Sequence, residues 1–254
     1  MDAVTLIPLH GIKLVEPGDD LGTIAVEAFA ANGLVLEEDD VLVVAQKIVS
    51  KSEGRSVDVA TVKPSPGAIA LAGEVDKDPR FVEVVLSESK RVVRHRPGLL
   101  IVEHRLGFVM ANAGIDHSNV AAAVGGERVL LLPEDPDGSA RALREHLAGA
   151  FGTRIAVIIS DSFGRAWRKG TVGVALGAAG LPALIDMRGR PDLFGRALQV
   201  TETGFADEIA AAAGLLMGQA DEAVPMVLVR GLSWSAPEVT AATLVRPAGH
   251  DLFR

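Results

Sequence analysis

The chain contains no cysteine, and this absence removes several kinds of chemistry at once. Disulfides, thiolate nucleophiles, cysteine-ligated zinc and iron–sulfur clusters all require thiols and are therefore excluded. The two common phosphate-binding patterns, GxxxxGK followed by Ser or Thr and GxGxxG, are also absent from the sequence. A nucleotide, if one binds, must therefore bind to a less common arrangement of loops.

The sequence also lacks a long apolar run. The longest uncharged apolar stretch, residues 172–185, is interrupted by glycines and is shorter than the ~20 residues that a transmembrane helix needs. No N-terminal signal pattern is present. The formal net charge of −8 disfavours binding to the phosphates of nucleic acids. We therefore expect a cytoplasmic protein with no membrane partner and no nucleic-acid partner.

What is present is enough apolar material for a large core, since 48% of the 254 residues are hydrophobic. Apolar strand-like runs alternate with segments of helical spacing, and two adjacent strands joined at Pro97 and Gly98 indicate an antiparallel hairpin. We predict a mixed α/β fold with mixed sheets, as one domain over residues 1–254 or as two subdomains within it. The predicted strands begin near Thr5 and cover residues 41–45, 92–96, 99–104, 129–133, 155–159, 181–186 and 224–231. The predicted helices cover residues 21–31, 78–87, 140–150 and 203–217. The turn at residues 17–20 holds a cap candidate for the first helix, and residues 137–139 are predicted to cap the third.

The most informative stretch is residues 155–177. A β-branched run at 155–159 is followed by Ser160, Asp161 and Ser162, which we interpret as a turn at the carboxyl end of a buried strand, where ligands collect in α/β sheets. An aspartate there is a hard oxygen donor suited to Mg²⁺ or Mn²⁺. Three cations follow between two glycines and indicate a phosphate site. The alternative is a structural turn or helix cap beside solvated basic residues.

A second acidic stretch, residues 108–119, repeats this arrangement. An apolar strand leads through small residues to Asp116, and Asn119 follows three residues later. Small side chains allow a ligand to approach the backbone closely, while the carboxylate and amide supply polar contacts. A structural turn stabilised by the aspartate and asparagine is the alternative.

Local clusters of cations interrupt the acidic composition. Lys47 and Lys51 follow the strand at 41–45 and share one face if they lie on a helix, which suggests a phosphate clamp or, alternatively, a solvated helix start. A loop with Arg188, Arg190 and Arg196 could receive a carboxylate or polyanionic substrate, or could form surface salt bridges. Metal-binding acids and separate basic clusters are the parts that phosphoryl transfer needs.

Five segments of the chain together resemble the coenzyme F420 γ-glutamyl ligases. They occur in order over nearly the whole sequence, which makes the resemblance more specific than any single motif. The segments are residues 7–12 (IPLHGI), 47–55 (KIVSKSEGR), 112–119 (NAGIDHSN), 160–165 (SDSFGR) and 217–222 (MGQADE).

The resemblance implies an enzyme that uses GTP and a divalent metal, Mg²⁺ or Mn²⁺, to add L-glutamate to the lactyl carboxylate of the 8-hydroxy-5-deazaflavin precursor. It implies two metal sites, with K⁺ as a further candidate ion, and an unusual mixed α/β fold that forms an intertwined homodimer without a fused flavin-binding domain. Asp116 and Asp161 would hold one metal, and Ser162 and Gln219 the other. Catalysis would depend on Asp116, Asp161 and Lys51. The residues implied at the nucleotide are Pro8, Leu9, His10, Gly11, Gln46, Lys51, Asn119, Leu216, Met217, Gly218, Gln219, Ala220, Asp221, Glu222 and Ala223.

The reaction that this assignment implies proceeds through an acyl phosphate, and successive γ-linked additions of glutamate are compatible with it. Two other classes fit the same residues. A metal-dependent phosphohydrolase would cleave nucleotides or phosphate esters without glutamate, and a GTP-binding regulatory protein would bind GTP without turnover.

Overall fold

A computed structural model describes residues 3–117 and 127–251 of the chain. Strands and helices are mixed throughout these two ranges, as the sequence predicts. The strands are β1 (Thr5–Pro8), β2 (Val41–Ala45), β3 (Ser56–Asp58), β4 (Ser89–Arg96), β5 (Leu99–His104), β6 (Val109–Ala111), β7 (Arg128–Leu130), β8 (Ala156–Arg165), β9 (Arg168–Ala179), β10 (Ile185–Asp186), β11 (Glu202–Thr203) and β12 (Met226–Arg230). The α-helices are α1 (Leu21–Ala31), α2 (Gln46–Ser52), α3 (Pro66–Val75), α4 (Pro79–Ser87), α5 (Pro136–Phe151) and α6 (Phe205–Met217), and short 3₁₀ turns occur at Val59–Thr61, Asn112–Gly114, Ala241–Leu244 and Ala248–His250.

The largest sheet has five strands in the order β1-β12-β2-β8-β9. Only β2 and β8 pair in parallel, and the other neighbours are antiparallel. On β2, Leu42 and Val44 pack against α1 and α5, whereas Val41 and Val43 pack against α6. Burial on both faces explains why β2 is a continuous apolar run. The predicted mixed α/β fold class is confirmed.

A three-stranded antiparallel sheet, β4-β5-β6, lies over a separate hydrophobic cluster. This cluster is formed by α3, α4, β5 and β7, and its buried centre includes Phe81, Val85 and Leu100. The turn at Pro97 and Gly98 joins β4 to β5 as predicted, and Gly98 has the positive φ of 79° that such a turn favours. A buried cluster of charges also anchors this sheet: Glu88 binds Arg55 at 2.8 Å and Arg105 at 3.1 Å.

Helix caps agree with the sequence at α1 but not at α5. Asp20 caps α1 and accepts hydrogen bonds from the Gly22 and Thr23 N–H groups. The predicted cap at residues 137–139 is wrong, because α5 begins at Pro136 and its cap is Asp135. Proline suits the first helical position, which places Asp137 inside the first turn. The Asp137 carboxylate instead accepts hydrogen bonds from the Ala178 and Ala241 N–H groups.

Two glycines of β9 allow helices to approach the strand backbone. A β-carbon on Gly177 would lie 2.1 Å from the Pro136 carbonyl oxygen, and one on Gly173 would lie 2.4 Å from the Ala210 carbonyl oxygen. No side chain fits at such distances. The glycine-rich sequence after residue 170 therefore lets the first turn of α5 and the middle of α6 pack directly onto β9.

One predicted strand is mostly wrong. Of residues 181–186 only Ile185–Asp186 form a strand, which pairs with Glu202–Thr203. Leu181 and Ala183 are buried in the cluster beneath α6, and the backbone of this run forms only an isolated parallel bridge with Val239. Within the two described ranges no helix is both long enough and apolar enough to cross a lipid bilayer.

Candidate functional site

One edge of the five-stranded sheet collects the segments that the sequence singled out. Because β12 is antiparallel to both β1 and β2, these two strands run in the same direction, and β8 runs parallel to β2. Pro8, Ala45 and Ser160 therefore reach the same edge, where β12 begins at Met226. Carboxyl ends of strands form the usual ligand crevice of such sheets.

Asp161 marks the point at which the sheet narrows to two strands. The β2–β8 ladder ends at the pair Ala45 and Ser160, but β8 continues to Arg165 paired only with β9. The predicted turn at residues 160–162 is therefore wrong, because β9 continues to supply a partner beyond the end of β2. The chain turns instead at Ala166 and Trp167, and Trp167 has a φ of 65°.

Asp116 is fixed by the backbone next to β7. Its N–H and C=O groups exchange hydrogen bonds with Leu130 at 3.0 and 2.9 Å. Before it, Asn112 and Ala113 have φ values of 49° and 55°, which turn the chain after β6. The Asp116 carboxylate then forms an ion pair with Lys47 of α2, with 2.7 Å between Nζ and Oδ2. This contact links the second acidic stretch to the edge of the large sheet.

The two aspartates are electrostatically coupled. The pKa of Asp161 is raised to about 6: burial raises it most and the negative charge of Asp116 adds to the rise, while the Ser162 N–H and Lys47 oppose it. Two carboxylates near one lysine thus have a charge arrangement that an additional cation would stabilise. The sequence analysis singled out Asp116 and Asp161 as two acids at strand ends, and the structure brings both to the region of Lys47.

Helix α2 contributes the cations as predicted, but with different partners. Lys47 contacts Asp116, a role that the phosphate-clamp interpretation did not include. Burial lowers the pKa of Lys51, and the positive charge of Lys47, four residues earlier on α2, lowers it further. Gln46 is buried and its Oε1 accepts a hydrogen bond from the Ser50 hydroxyl at 2.9 Å.

The segment after β1 follows the same edge. The buried Leu9 donates its N–H to the Met226 carbonyl oxygen at 3.0 Å. His10 is exposed, and its backbone exchanges two hydrogen bonds with the Asn32 side chain. Asn32 was predicted only to end α1, so its role in holding this loop was missed. Gly11 has a φ of 78°, a conformation that favours glycine.

The loop after α6 reaches the edge from the other face. The Ser160 hydroxyl lies 3.8 Å from the Met217 sulfur at the end of α6. Beyond Gly218, the Glu222 carboxylate accepts a hydrogen bond from the Ala220 N–H at 2.8 Å. The N–H groups of Ala220, Glu222 and Gln219 lower the pKa of Glu222. The loop therefore gathers N–H donors around one anionic group.

The second predicted pair of metal ligands lies on the opposite side of β8. Alternate residues of a strand face opposite sides, so Ser162 shares a face with Ser160 and not with Asp161. Ser160 contacts Met217, two residues before Gln219, which is exposed. Ser162 and Gln219 are therefore on the α6 side of the sheet. Asn119 lies outside the described residues.

The two predicted arginine clusters differ from the acidic site. Arg188 forms ion pairs with Asp186 at 2.6 Å and Glu202 at 3.4 Å, which supports the surface salt-bridge alternative for that residue. Arg165 and Lys169 are exposed near the tip of the β8–β9 ribbon. Over residues 3–117 and 127–251 there is no group of three or more Asp, Glu or His side chains placed to hold one ion; the acids at the site form a pair.

Comparisons with known proteins agree with the resemblance seen in the sequence. Residues 11–231 match the family model described as F420-0:Gamma-glutamyl ligase. The Coenzyme F420:L-glutamate ligase of Methanothermobacter thermautotrophicus is 44% identical over 253 residues, which cover 99% of both chains. The protein of the same name from Methanopyrus kandleri is 45% identical over 98% of this chain and 96% of its own length. That from Archaeoglobus fulgidus is 41% identical over 99% and 96%.

Proposed function

Because the chain belongs to the F420-0:γ-glutamyl ligase family, we propose that it joins L-glutamate to the carboxylate of the deazaflavin precursor F420-0. The relatives that carry the name Coenzyme F420:L-glutamate ligase align over nearly the full chain. The single observation that carries the proposal within the structure is the coupled pair Asp116 and Asp161 beside Lys47. This pair lies at the sheet edge that also receives the ends of β1 and β2.

We propose that GTP is the co-substrate and that it binds along this edge. The support is topological: the segment after β1, the start of α2 and the loop after α6 all reach the edge. Apart from Asn119, which lies outside the described residues, the residues that the sequence analysis assigned to the nucleotide lie in or beside these segments. The backbone N–H groups of the loop after α6 already stabilise one anionic carboxylate, that of Glu222. Oriented backbone N–H groups of this kind suit phosphate oxygens.

The chemistry of the proposal is carboxylate activation. A carboxylate oxygen of F420-0 attacks the terminal phosphorus of GTP, the bond to the leaving GDP oxygen breaks, and an acyl phosphate forms. The amine of L-glutamate then attacks the acyl carbon, inorganic phosphate leaves, and the nitrogen loses one proton to give the amide. Positioning and stabilisation of negative charge supply most of the catalysis in such transfers.

The residues at the edge fit a divalent cation. Asp116 raises the pKa of Asp161, so the two carboxylates repel each other, and carboxylate oxygens are the preferred ligands of Mg²⁺ and Mn²⁺. Asp116 and Asp161 would hold one ion, and Ser162 with Gln219 on the other side of β8 would hold a second. A bound ion would neutralise phosphate charge. The chain's own part is to hold the acids: the Leu130 bridge fixes Asp116, and β9 fixes Asp161.

The proposed homodimer has a candidate contact surface. Leu193, Phe194 and Val200 are 99%, 87% and 84% exposed in the segment between β10 and β11, and Trp167 at the ribbon tip is 87% exposed. Large apolar side chains this exposed are typical of protein contacts. Light scattering of the wild type and of the Leu193→Ser/Phe194→Ser variant tests this: a wild-type dimer that dissociates in the variant agrees with it, and a wild-type monomer contradicts it.

Mass spectrometry of a complete reaction tests the function. The purified protein is incubated with F420-0, GTP, Mg²⁺ or Mn²⁺ and L-glutamate, with each component omitted in turn. We expect products that form only with GTP and are heavier than F420-0 by about 129 Da per added glutamyl residue. The mass increase gives the number of glutamates added. Loss of GTP without a glutamylated product would indicate a phosphohydrolase, and GTP binding with no turnover would indicate a regulatory protein.

A further inference from the structure

A cavity of about 240 Å³ lies beside β9, the outermost strand of the large sheet. It is separate from the segments at the strand ends described above. Its walls come from three regions: the β5–β6 connection, the β8–β9 ribbon with the start of α6, and the segment after residue 243. The lining includes Phe108, Val109, Phe163, Val174, Asp207, Arg246 and Asp251. None of them was assigned a role by the sequence or by the geometry of the acidic site.

The cavity adjoins the acidic pair. Val174 is the direct cross-strand partner of Asp161, so their side chains lie on one face at about 5 Å between β-carbons. Phe163 is two residues beyond Asp161 on the same strand and therefore shares that face. On the other wall, Val109 begins β6, the strand that leads through the turn at Asn112–Gly114 to Asp116. The cavity wall thus includes the cross-strand neighbour of Asp161 and begins the strand that leads to Asp116.

The walls suit a flat aromatic group. Phe108 and Phe163 meet edge to face, with 5.8 Å between ring centroids, and both are partly exposed. Val109 is 38% exposed at the rim. Asp207, Asp251 and Arg246 add two carboxylates and one guanidinium to the apolar and aromatic part of the walls. Apolar and aromatic walls with few polar groups are the usual composition of a heterocycle site, whereas L-glutamate, with two carboxylates, finds only one cation here.

The position in the sheet separates this cavity from the proposed nucleotide segments. The segment after β1 lies at one side of the sheet and β9 at the other, with β12, β2 and β8 between them. Four strand spacings amount to about 19 Å. A guanine base held by the β1 segment therefore does not reach the cavity at β9, which leaves the cavity for the other planar substrate.

We propose that this cavity binds the deazaflavin ring of the precursor and thereby directs the carboxylate of its tail toward Asp116 and Asp161. This inference rests on the proposed ligase function. The volume of about 240 Å³ suits one fused ring system, with the sugar-alcohol and phosphodiester tail leaving along the ribbon. Asp207 would accept a hydrogen bond from the imide N–H, and Arg246 would donate to a carbonyl oxygen of the ring.

Equilibrium binding tests the assignment without turnover. The absorbance and fluorescence of F420-0 report binding to the full chain directly. Val109→Trp fills the rim of the cavity and should raise the Kd for F420-0 by about tenfold or more, whereas Val109→Ala should leave it within about twofold. Val35→Trp is the matched control, because Val35 is 68% exposed. It precedes the amino end of β2 and so lies at the end of the sheet opposite to the acidic pair.

Steady-state kinetics then separate the two substrates. Val109→Trp should raise the KM for F420-0 and leave the KM for GTP at its wild-type value. A changed KM for GTP with an unchanged Kd for F420-0 would place guanine in the cavity and overturn the assignment. A second variant, Phe108→Leu, keeps apolar volume but removes the aromatic face, so it should also weaken F420-0 binding severalfold if Val109→Trp is poorly folded.

The outcomes distinguish this inference from the function on which it rests. If the wild type ligates glutamate but neither Val109→Trp nor Phe108→Leu changes the Kd for F420-0, the cavity assignment is wrong and the function stands. If the wild type neither binds F420-0 nor forms a glutamylated product, the proposed function is wrong and the cavity assignment fails with it.

Discussion

Replacement of Asp161 by asparagine should abolish ligation and yet stabilise the metal-free protein. The raised pKa of Asp161, about 6 against an ordinary value of 3.8, means that folding makes its ionised form less favourable. The causes are burial first and the charge of Asp116 second. Asparagine keeps nearly the same shape without the charge, so the unfavourable free energy of the half-buried charge disappears at neutral pH.

The magnitude follows from the size of the shift. A difference of about 2 pKa units corresponds to about 3 kcal/mol, since each unit is worth about 1.4 kcal/mol. This is an upper value, and for a chain of this length it corresponds to a rise in Tm of about 6 °C. A raised carboxyl pKa produces no penalty below about pH 4, where folded and unfolded forms are both protonated. The penalty grows from pH 4 to pH 6 and is constant above that.

Thermal and urea unfolding of both proteins in EDTA, at pH values from 4 to 8, measures the difference. The Asp161→Asn variant should unfold at higher temperature above pH 6 and at the wild-type temperature near pH 4. The matched control is Asp186→Asn, because Arg188 lowers the pKa of Asp186 to about 2 and its loss should not stabilise the fold. Added Mg²⁺ should stabilise the wild type and leave the Asp161→Asn variant unchanged.

Two results would refute this reasoning. An Asp161→Asn variant that is less stable than the wild type at pH 7, with no dependence on pH, would show that the carboxylate is not under electrostatic strain. A variant that forms glutamylated product at nearly the wild-type rate would show that Asp161 has no part in the reaction, whatever its effect on stability.

Three further predictions follow from single contacts. Glu88→Gln should lower the free energy of unfolding by about 3 kcal/mol. Burial would raise the pKa of Glu88, but His104 and two arginines outweigh it and lower that pKa to about 2. In urea titrations the loss of stability should therefore be complete at pH 7 and should disappear as the pH falls from about 4.5 to 2. Lys47→Met removes a charge that lowers the pKa of Asp161. NMR titration of that carboxyl should therefore give a pKa above the wild-type value, and an unchanged pKa would show that the charge of Lys47 does not act on Asp161. Gly177→Ala should destabilise the fold by about 1–3 kcal/mol or more, because its β-carbon would clash with α5. Gly149→Ala is the control: it lies at a helical position with open space and should stabilise the fold by up to about 1 kcal/mol in the same unfolding assay.

Local signals predicted the elements that are fixed by nearby residues. The helix at Leu21–Ala31 has the predicted bounds because Asp20 caps its start and Asn32 ends it, and both act within a few residues of the chain. The strand Val41–Ala45 also has the predicted bounds, because a continuous apolar run fits a strand buried on both faces. No knowledge of the tertiary structure is needed for either.

The wrong predictions concern features that depend on distant partners. Residues 160–162 were predicted as a turn, since serine and aspartate favour turns, but whether a strand continues depends on whether a neighbouring strand continues to pair with it. Asp137 was predicted as a helix cap from its type alone, whereas its carboxylate serves the Ala178 and Ala241 N–H groups. Neither contact can be read from the local sequence.

The candidate site was predictable residue by residue but not as a set of contacts. Residue type and strand-end position identified Asp116, Asp161, Lys47 and Lys51. The ion pair between Lys47 and Asp116 could not be predicted. The spacing of lysines on a helix is the same whether their partner is a phosphate or a carboxylate, so the sequence pattern does not distinguish the two. The aromatic walls at Phe108 and Phe163 were also missed, since each phenylalanine by itself is typical of a core residue.

Topology explains why the site is dispersed along the chain. β1, β2 and β8 run in one direction, so each must return to the starting side before the next begins, and the helices and the β4-β5-β6 sheet occupy those connections. Each strand end can therefore contribute only a few residues to the shared edge. A compact phosphate-binding motif would need one strand, one turn and one helix in succession. In this fold the residues of the proposed nucleotide site are divided among separate strand ends, which is why short motif patterns do not detect that site.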